Sequence, residues 1–343
     1  EISACLVGSE MCIRDSPMVA RLADSASNRN EQRKPRGLVL APTRELATQI
    51  TNTLQPLANA LNLRVTTIFG GVNQKRQVQA IRDGVEIIVA TPGRLEDLMG
   101  QGILKLDAIE ITVLDEADHM ADLGFLPGVT RILNATPRGG QRLLFSATLD
   151  NGVNKLVEKF LQNQVTHAVD EANSPVAQMT HHIFEAADAE AKKRLVYALA
   201  SGTERRILFM RTKHHAKKLA KSLTQAGIPA VDLHGNLSQA ARDRNLESFS
   251  EGRAKVLVAT DVAARGVHVE GVSLVIHVDP PAEHKAYLHR SGRTARAGAS
   301  GDVVTISLPT QRKDLSDLLN QAKISVRPQS VNEKSPEVIA LIG

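Results

Sequence analysis

Aromatic residues are scarce: they make up 3% of the 343 positions, with no tryptophan and two tyrosines. If a nucleic acid is the partner, stacking of bases on aromatic side chains cannot be its main grip, and backbone phosphates are the expected target. Cysteine is nearly missing too, Cys5 and Cys12 being the only two. No disulfide framework can therefore hold the body of the chain, and a reducing, cytoplasmic setting is expected. No apolar run approaches the ~18 residues that a membrane-crossing helix needs, which excludes a span of that kind. The opening residues lack the charged start and apolar stretch of a secretory signal. There is no G-x-S-x-G elbow, no H-E-x-x-H pair and no Cys-His spacing of a zinc site. The pairs His181–His182 and His214–His215 are accordingly expected on solvated surface rather than at a metal. Nor does a Gly-Lys dipeptide occur anywhere, and with it goes the G-x-x-x-x-G-K-[ST] loop that cradles phosphates.

What is present suits a globular chain of two domains, each with its own core. The net charge of +5 mildly favours a polyanionic partner. Short aliphatic runs alternate with helical patterns: "GLVLA", "EIIVA", "EITVL" and "RLLFSAT", then "RRILFM", "PAVDLHG", "KVLVAT", "VSLVIHV" and "GDVVTIS". Continuous aliphatic strands alternating with helices indicate an α/β fold whose parallel sheets are covered on both faces. The polar stretch 24–36 reads as a loop, and residues 168–180 break the rhythm as a linker would. The two halves echo one another. Thr43 and Thr91 are separated by 48 positions, as are Thr212 and Thr260, each after a strand-like run. Matched spacing in matched contexts points to a duplication whose loops face a common cleft.

The stretch "VLDEADHMADLGF" sets Asp115, Glu116 and Asp118 directly after a strand. Magnesium takes oxygen ligands and keeps several waters, so Asp115 and Glu116 on a rigid strand end suit it, mainly through water. A neighbouring glutamate can orient or deprotonate an attacking water. In isolation the same tetrapeptide would read as an acidic first turn of a helix. It stands, however, in an ordered series: "PTRELA" at 42–47, "GG" at 70–71, "TPGR" at 91–94, "DEAD" at 115–118 and "SAT" at 146–148. "HGNLSQAAR" at 234–242, "ATDVAARG" at 259–266 and "HRSGRTARAG" at 289–298 follow. This series strongly resembles the DEAD-box family of ATP-dependent RNA helicases, its bacterial RhlE-like members above all, over about residues 17–325.

The resemblance implies two tandem RecA-like parallel-sheet domains facing a common cleft, with ATP and Mg2+ as cofactors and RNA held through its backbone. Pro42, Thr43, Arg44, Gly70, Gly71, Thr91, Pro92, Gly93 and Arg94 would grip RNA from the first domain, and Gly235, Thr260 and, as a weaker candidate, Arg211 from the second. Hydroxyls, guanidiniums and loop amides are suited to phosphate oxygens. Without the family context, Arg44 and Arg94 would read as solvent-facing charges at helix starts. Ser146 and Thr148 would couple hydrolysis to strand separation, though alone they read as a helix cap. Arg290, Arg293 and Arg296 recur every three residues, a spacing that lines one side of a helix. By resemblance Arg293 and Arg296 are arginine fingers for the γ-phosphate, and His289 and Arg290 contact the "DEAD" and "SAT" loops. Asp261 and Arg265 join the nucleotide and interdomain contacts. Gln239 and Arg242 belong to the same motif set with less defined roles.

Two departures stand out. His268 replaces the acid that the family places near the ribose. Residues 1–16 match nothing in the family and resemble translated adapter read-through, so the expected first domain, 17–168, lacks its opening strand, its cradle and part of a helix. A linker at 169–178, a second domain at 179–325 and a tail at 326–343 complete the expected layout. The resulting expectation is an RNA helicase chain that binds ATP poorly and hydrolyses it negligibly. A monomer without membrane association is expected, with partners in ribonucleoprotein, ribosome-assembly or RNA-decay complexes. Two rival readings stay open: a DNA helicase of the same superfamily and a non-enzymatic RNA clamp or scaffold.

Overall fold

Aliphatic runs with no polar face become strands buried on both sides. The computed structural model describes residues 10–24, 34–167, 179–264, 267, 269, 271–295 and 300–343. The chain divides into two compact units, Glu1–His167 and Ala168–Gly343.

In the first unit, β1 (Gly37–Leu40), β2 (Val65–Ile68), β3 (Ile87–Ala90), β4 (Ile111–Leu114) and β5 (Gln141–Leu144) form a parallel sheet in the order β2-β3-β1-β4-β5. Gly37 is level with Ile87 of β3 on one side and with Ile111 of β4 on the other. Alternate residues serve opposite faces. Leu38 and Leu40 pack beneath α4 (Pro92–Gly100), α5 (Ala117–Asp122), α6 (Leu126–Ala135) and α7 (Asn151–Phe160). Val39 and Ala41 meet α1 (Glu10–Asp24) and α2 (Arg44–Ala60). A short α3 (Lys75–Arg82) follows β2. Helix α2 starts where the Thr43 hydroxyl accepts the Leu46 amide, and it buries Leu46, Ile50, Leu54 and Ala58 at helical spacing. Each such fully buried leucine contributes about 2 kcal/mol.

The outermost strand, β5, differs from its neighbours. Gln141 is exposed and Arg142 to Leu144 are only half-buried, whereas β1, β3 and β4 are buried throughout. No further strand pairs with it among the described residues.

The second unit carries seven parallel strands: β6 (Met179–Glu185), β7 (Arg205–Phe209), β8 (Ala230–Leu233), β9 (Val256–Ala259), β10 (Val272–His277), β11 (Gly301–Ser307) and β12 (Gln329–Ser330). Their order is β12-β6-β11-β10-β7-β9-β8. One face packs α8 (Ala189–Ala200) and α9 (Lys213–Gln225). The other packs α10 (Gln239–Ser250), α11 (Asp261–Ala264), α12 (His284–Ser291) and α13 (Arg312–Gln321). Residues 326–343, set apart as a tail in the sequence reading, are built into this unit. Gln329–Ser330 pairs with Phe184–Glu185, and α14 (Pro336–Ile342) buries Val338 against the α8 face. Buried Arg206 secures the join. Its guanidinium donates to the carbonyl oxygen of Leu199 and, at 2.8 Å, to that of Ile342. Those carbonyls are the unpaired ends of two helices, which a cation satisfies well. The proposed linker residues 169–178 lie outside the described residues. Among the described residues, no helix is long and apolar enough to cross a membrane.

Candidate nucleotide and nucleic-acid sites

In a parallel sheet the loops after the strands gather at one edge, and in each unit the motif residues lie there. After β4 the chain turns sharply. Glu116 adopts a left-handed conformation at φ 47°, ψ 55°, uncommon for a residue with a side chain and a mark of strained functional turns. The turn drives Asp118 inward, toward the loop after β5. Buried Asp118 accepts the amide and hydroxyl of Thr148, both at 3.1 Å, and donates its own amide to the Ser146 hydroxyl at 3.1 Å. Ser146 in turn donates to the Thr148 carbonyl at 2.7 Å. The two hydroxyls therefore do not cap a helix: Asp150 caps α7, accepting the Gly152 and Val153 amides. They tie the "DEAD" and "SAT" loops together.

Two residues that sequence reasoning passed over complete this cluster. His119 is buried, and its Nδ1 lies 2.9 Å from the Glu116 carboxylate, one helical turn away. The spacing of three was a usable signal. Arg14, on α1, forms an ion pair with Asp115 and another at 2.7 Å with Asp15. Burial raises the Asp15 carboxyl above its ordinary range, against the lowering effect of Arg14. Nothing in the local sequence joins Arg14 to a carboxylate 101 positions away.

The residues expected to grip RNA flank the neighbouring loops. Gly71 sits at φ +73°, and a Cβ there would run into the Arg44 guanidinium. The Arg94 guanidinium reaches the Val72 carbonyl at 3.4 Å and Asp97 at 3.6 Å. Arg44 and Arg94, both half-buried, thus converge on the 70–72 loop instead of splaying into solvent. Thr91 precedes α4 without using its hydroxyl as a cap, Pro92 opens the helix, and nothing lies within 4 Å of a Cβ built on Gly70 or Gly93. These loops leave backbone and hydroxyl groups open to a ligand. Pro42 is buried behind Thr43, fixing the entry to α2.

In the second unit Arg211, Gly235 and Thr260 follow β7, β8 and β9 at the same edge. The Arg211 amide donates to Asp279 at 3.0 Å and its side chain is exposed. Arg290 has partners inside its own unit. It is 3% exposed and pairs with both oxygens of Asp261, at 2.5 and 2.8 Å. It also donates to the Asp279 carbonyl at 2.7 Å and lies over the Phe209 ring. Within its unit this arginine holds α11 to α12. The supposed helical row of arginines is not one. Helix α12 ends at Ser291, and Arg293, in the turn beyond it, donates to the Val267 carbonyl at 2.6 Å. Arg293 and half-buried His289 line a small pocket with Asp261 and Ala264. Arg265, His268 and Arg296 lie outside the described residues. Gln239 bonds Asp243 at 2.9 Å and Arg242 reaches the Ala263 carbonyl at 3.3 Å, so both brace local structure.

Behind α12 lies a polar network with no sequence signature. Buried His277 bonds Thr305 through Nδ1 at 3.0 Å, and its ring stands edge-on to Tyr287, centroids 4.8 Å apart. Tyr287 is 3.0 Å from His181 Nδ1. Burial first, then Arg290 and His181, hold His277 well below the ordinary imidazole range. Burial pushes the Tyr287 phenol up to about 12. His181 and His182 are thus not on solvated surface: both are half-buried, and His182 bonds Asp302 at 2.9 Å. His214 and His215 are exposed.

Asp115 and Glu116 have the oxygen chemistry for a hydrated Mg2+. No Gly-Lys dipeptide occurs in the sequence, and Asp115 is paired with Arg14.

Comparison with known proteins places these arrangements. A family model for DEAD/DEAH box helicases matches residues 16–156, and one for the helicase conserved C-terminal domain matches 190–298. The chain is 40% identical to the ATP-dependent RNA helicase RhlB of Pseudomonas syringae pv. tomato over 273 residues, covering 78% of this chain and 68% of that one. It is 38% identical to RhlB of Xanthomonas campestris pv. campestris, covering 88% of this chain and 54% of the relative, so it spans little more than half of that protein. Among solved structures, S. cerevisiae Dbp5 bound to RNA and ADP BeF3 superposes with a TM-score of 0.82 at 27% identity, covering 96% of this chain and 86% of that one. The motif loops, the strand-end geometry and these matches agree: the chain belongs to the DEAD/DEAH box helicase family.

Proposed function

We propose that the protein represented by this chain is an ATP-dependent RNA helicase that holds RNA by its backbone from the strand-end loops of both units. The observation that carries the reading is the bonding of Asp118 to Ser146 and Thr148. It gives the acidic loop and the hydroxyl loop one shared geometry, as coupling a nucleotide event to RNA would require. Relatives named ATP-dependent RNA helicases and a structural neighbour bound to RNA support it. Bound Mg2+ would supply charge neutralisation at phosphate oxygens, with Asp115 and Glu116 holding its waters and His119 orienting Glu116. A cytoplasmic, monomeric protein working with ribonucleoprotein, ribosome-assembly or RNA-decay partners fits the same reading. Arg44, Gly71 and Arg94 in the first unit and Gly235 and Thr260 in the second would contact phosphates and sugars, giving low sequence specificity.

The 343 residues are expected to bind RNA and to turn over ATP negligibly, because no Gly-Lys dipeptide occurs among them and Arg14 pairs with Asp115. A clamp-like, non-hydrolytic role for the chain is favoured by that same ion pair. The decisive measurement is RNA binding by fluorescence anisotropy beside ATP turnover at saturating RNA. Tight RNA binding with background turnover is expected. Ordinary turnover would refute the inactive reading, and absence of RNA binding would refute the helicase reading. An RNA–DNA comparison in the same assay separates the RNA-directed enzyme from a DNA helicase.

A further inference from the structure

Helix α9 carries four lysines, Lys213, Lys217, Lys218 and Lys221, and no acidic residue. The net charge of the chain is +5, so the residues outside this helix together carry a single excess positive charge. The cations are sorted by face. Ala216, Ala220 and Leu223 point into the core, while all four lysines are exposed. Lys217, Lys218 and Lys221 take part in no ion pair among the described residues, and Lys213 reaches only a neutral group, the Asn236 side chain, at 3.1 Å. A protein surface ordinarily intersperses both signs of charge, so a single-sign stripe implies an anionic partner.

The stripe has a definite beginning. Helix α9 leaves the strand-end edge directly after Arg211 and Thr212, and Lys213 touches the loop carrying Gly235. Successive lysines at 213, 217 and 221 stand about 6 Å apart along the axis, since each residue rises ~1.5 Å. The row runs from the proposed RNA-gripping edge down the outer side of the unit, over β8, which is the last strand of its sheet.

We propose that the lysine face of α9 is a second phosphate track, which carries an RNA strand onward from the Gly235 loop by backbone charge alone. This rests on the RNA-binding reading above. Because lysine is a point charge without bidentate geometry, the track adds affinity and salt dependence and no base preference.

The test compares the full chain, K213Q/K217Q/K221Q and a control, K105Q/K155Q/K313Q, that removes equal charge from exposed lysines elsewhere. Each is titrated against labelled oligouridylate across a potassium chloride series, with circular dichroism to verify folding. The slope of log affinity on log salt should flatten by about 2 in the α9 variant, roughly a 20-fold smaller loss of affinity between ~50 and ~200 mM salt. The control should keep the parent slope. Slopes shifted equally by both variants would overturn the track and show a mere net-charge effect. An unshifted slope in the α9 variant, with R44A still weakening binding, would overturn the track while sparing the RNA reading. Loss of polyglutamate binding with RNA binding intact would also overturn it, making the face a dock for acidic protein. A parent chain that fails to bind RNA would overturn both proposals.

Discussion

Single side chains decide whether the motif loops hold their shape. Asp118 is buried and its carboxylate accepts the amide and hydroxyl of Thr148 and the amide of His119, so removing it strands donors away from water. D118A is expected to lower first-unit stability by about 1–3 kcal/mol, read from urea denaturation. His277 offers a prediction with a sign. Its folded pKa lies well below the ordinary 6.5, so the unfolded chain binds the extra proton. The groups facing it are Thr305, Tyr287, Arg290, His181 and Phe209, none of which offers a negative charge to offset protonation. Stability is therefore intact above about pH 6.5 and falls below it, by about 1.4 kcal/mol per pH unit for one proton. H277N should flatten that dependence between neutral pH and about pH 5, and an unchanged slope would assign the proton elsewhere. None of these partnerships was legible in sequence, because Asp118, Ser146 and His277 meet partners supplied by other strands. The residue types were legible, and so was the helical spacing of Glu116 and His119.

Elements show where pattern reading is strong. Nine strands follow from aliphatic-rich runs, most of them buried on both faces and so free of polar alternation, with β5 and β8 at the sheet edges only partly buried. Strands β2 and β6, like the two-residue β12, were not foreseen. Their sequences, "VTTI" and "MTHHIFE", mix threonine and histidine into the run, and β6 directly follows the stretch taken as a linker. The same pattern reading treated 326–343 as a tail, because the docking group, Arg206, sits in a distant strand. Gly202 leaves the space that this guanidinium fills, and a Cβ there would collide with it. G202A should consequently displace Arg206 and loosen α14, costing about 2 kcal/mol or more. Limited proteolysis should then cut within 326–343 before the rest of the second unit, and a tail as resistant as the parent's would count against the docking role. At the Gly71 loop the positive φ makes G71A strained by about 1 kcal/mol while pushing on Arg44. Weaker RNA binding with unchanged melting of the second unit is the expected result.

For the molecule as a whole, two units with separate cores predict two unfolding events, and the first unit should unfold at lower denaturant. Among the described residues its strand β5 ends the sheet half-exposed, where an unpaired edge is a weak point and an invitation to association. A single cooperative transition by denaturant titration, read by circular dichroism, would contradict this. Order and spacing of motifs sufficed to determine the family, the α/β class and the position of the motif residues at strand ends, because these depend on local residue types and periodicity. Tertiary structure alone decided which charges are available. It turned Arg290 inward onto Asp261, set Arg14 on Asp115, and left the α9 lysines facing solvent. The physical reason is that a side chain's charge acts over a few ångströms of space, and sequence records distance only along the chain.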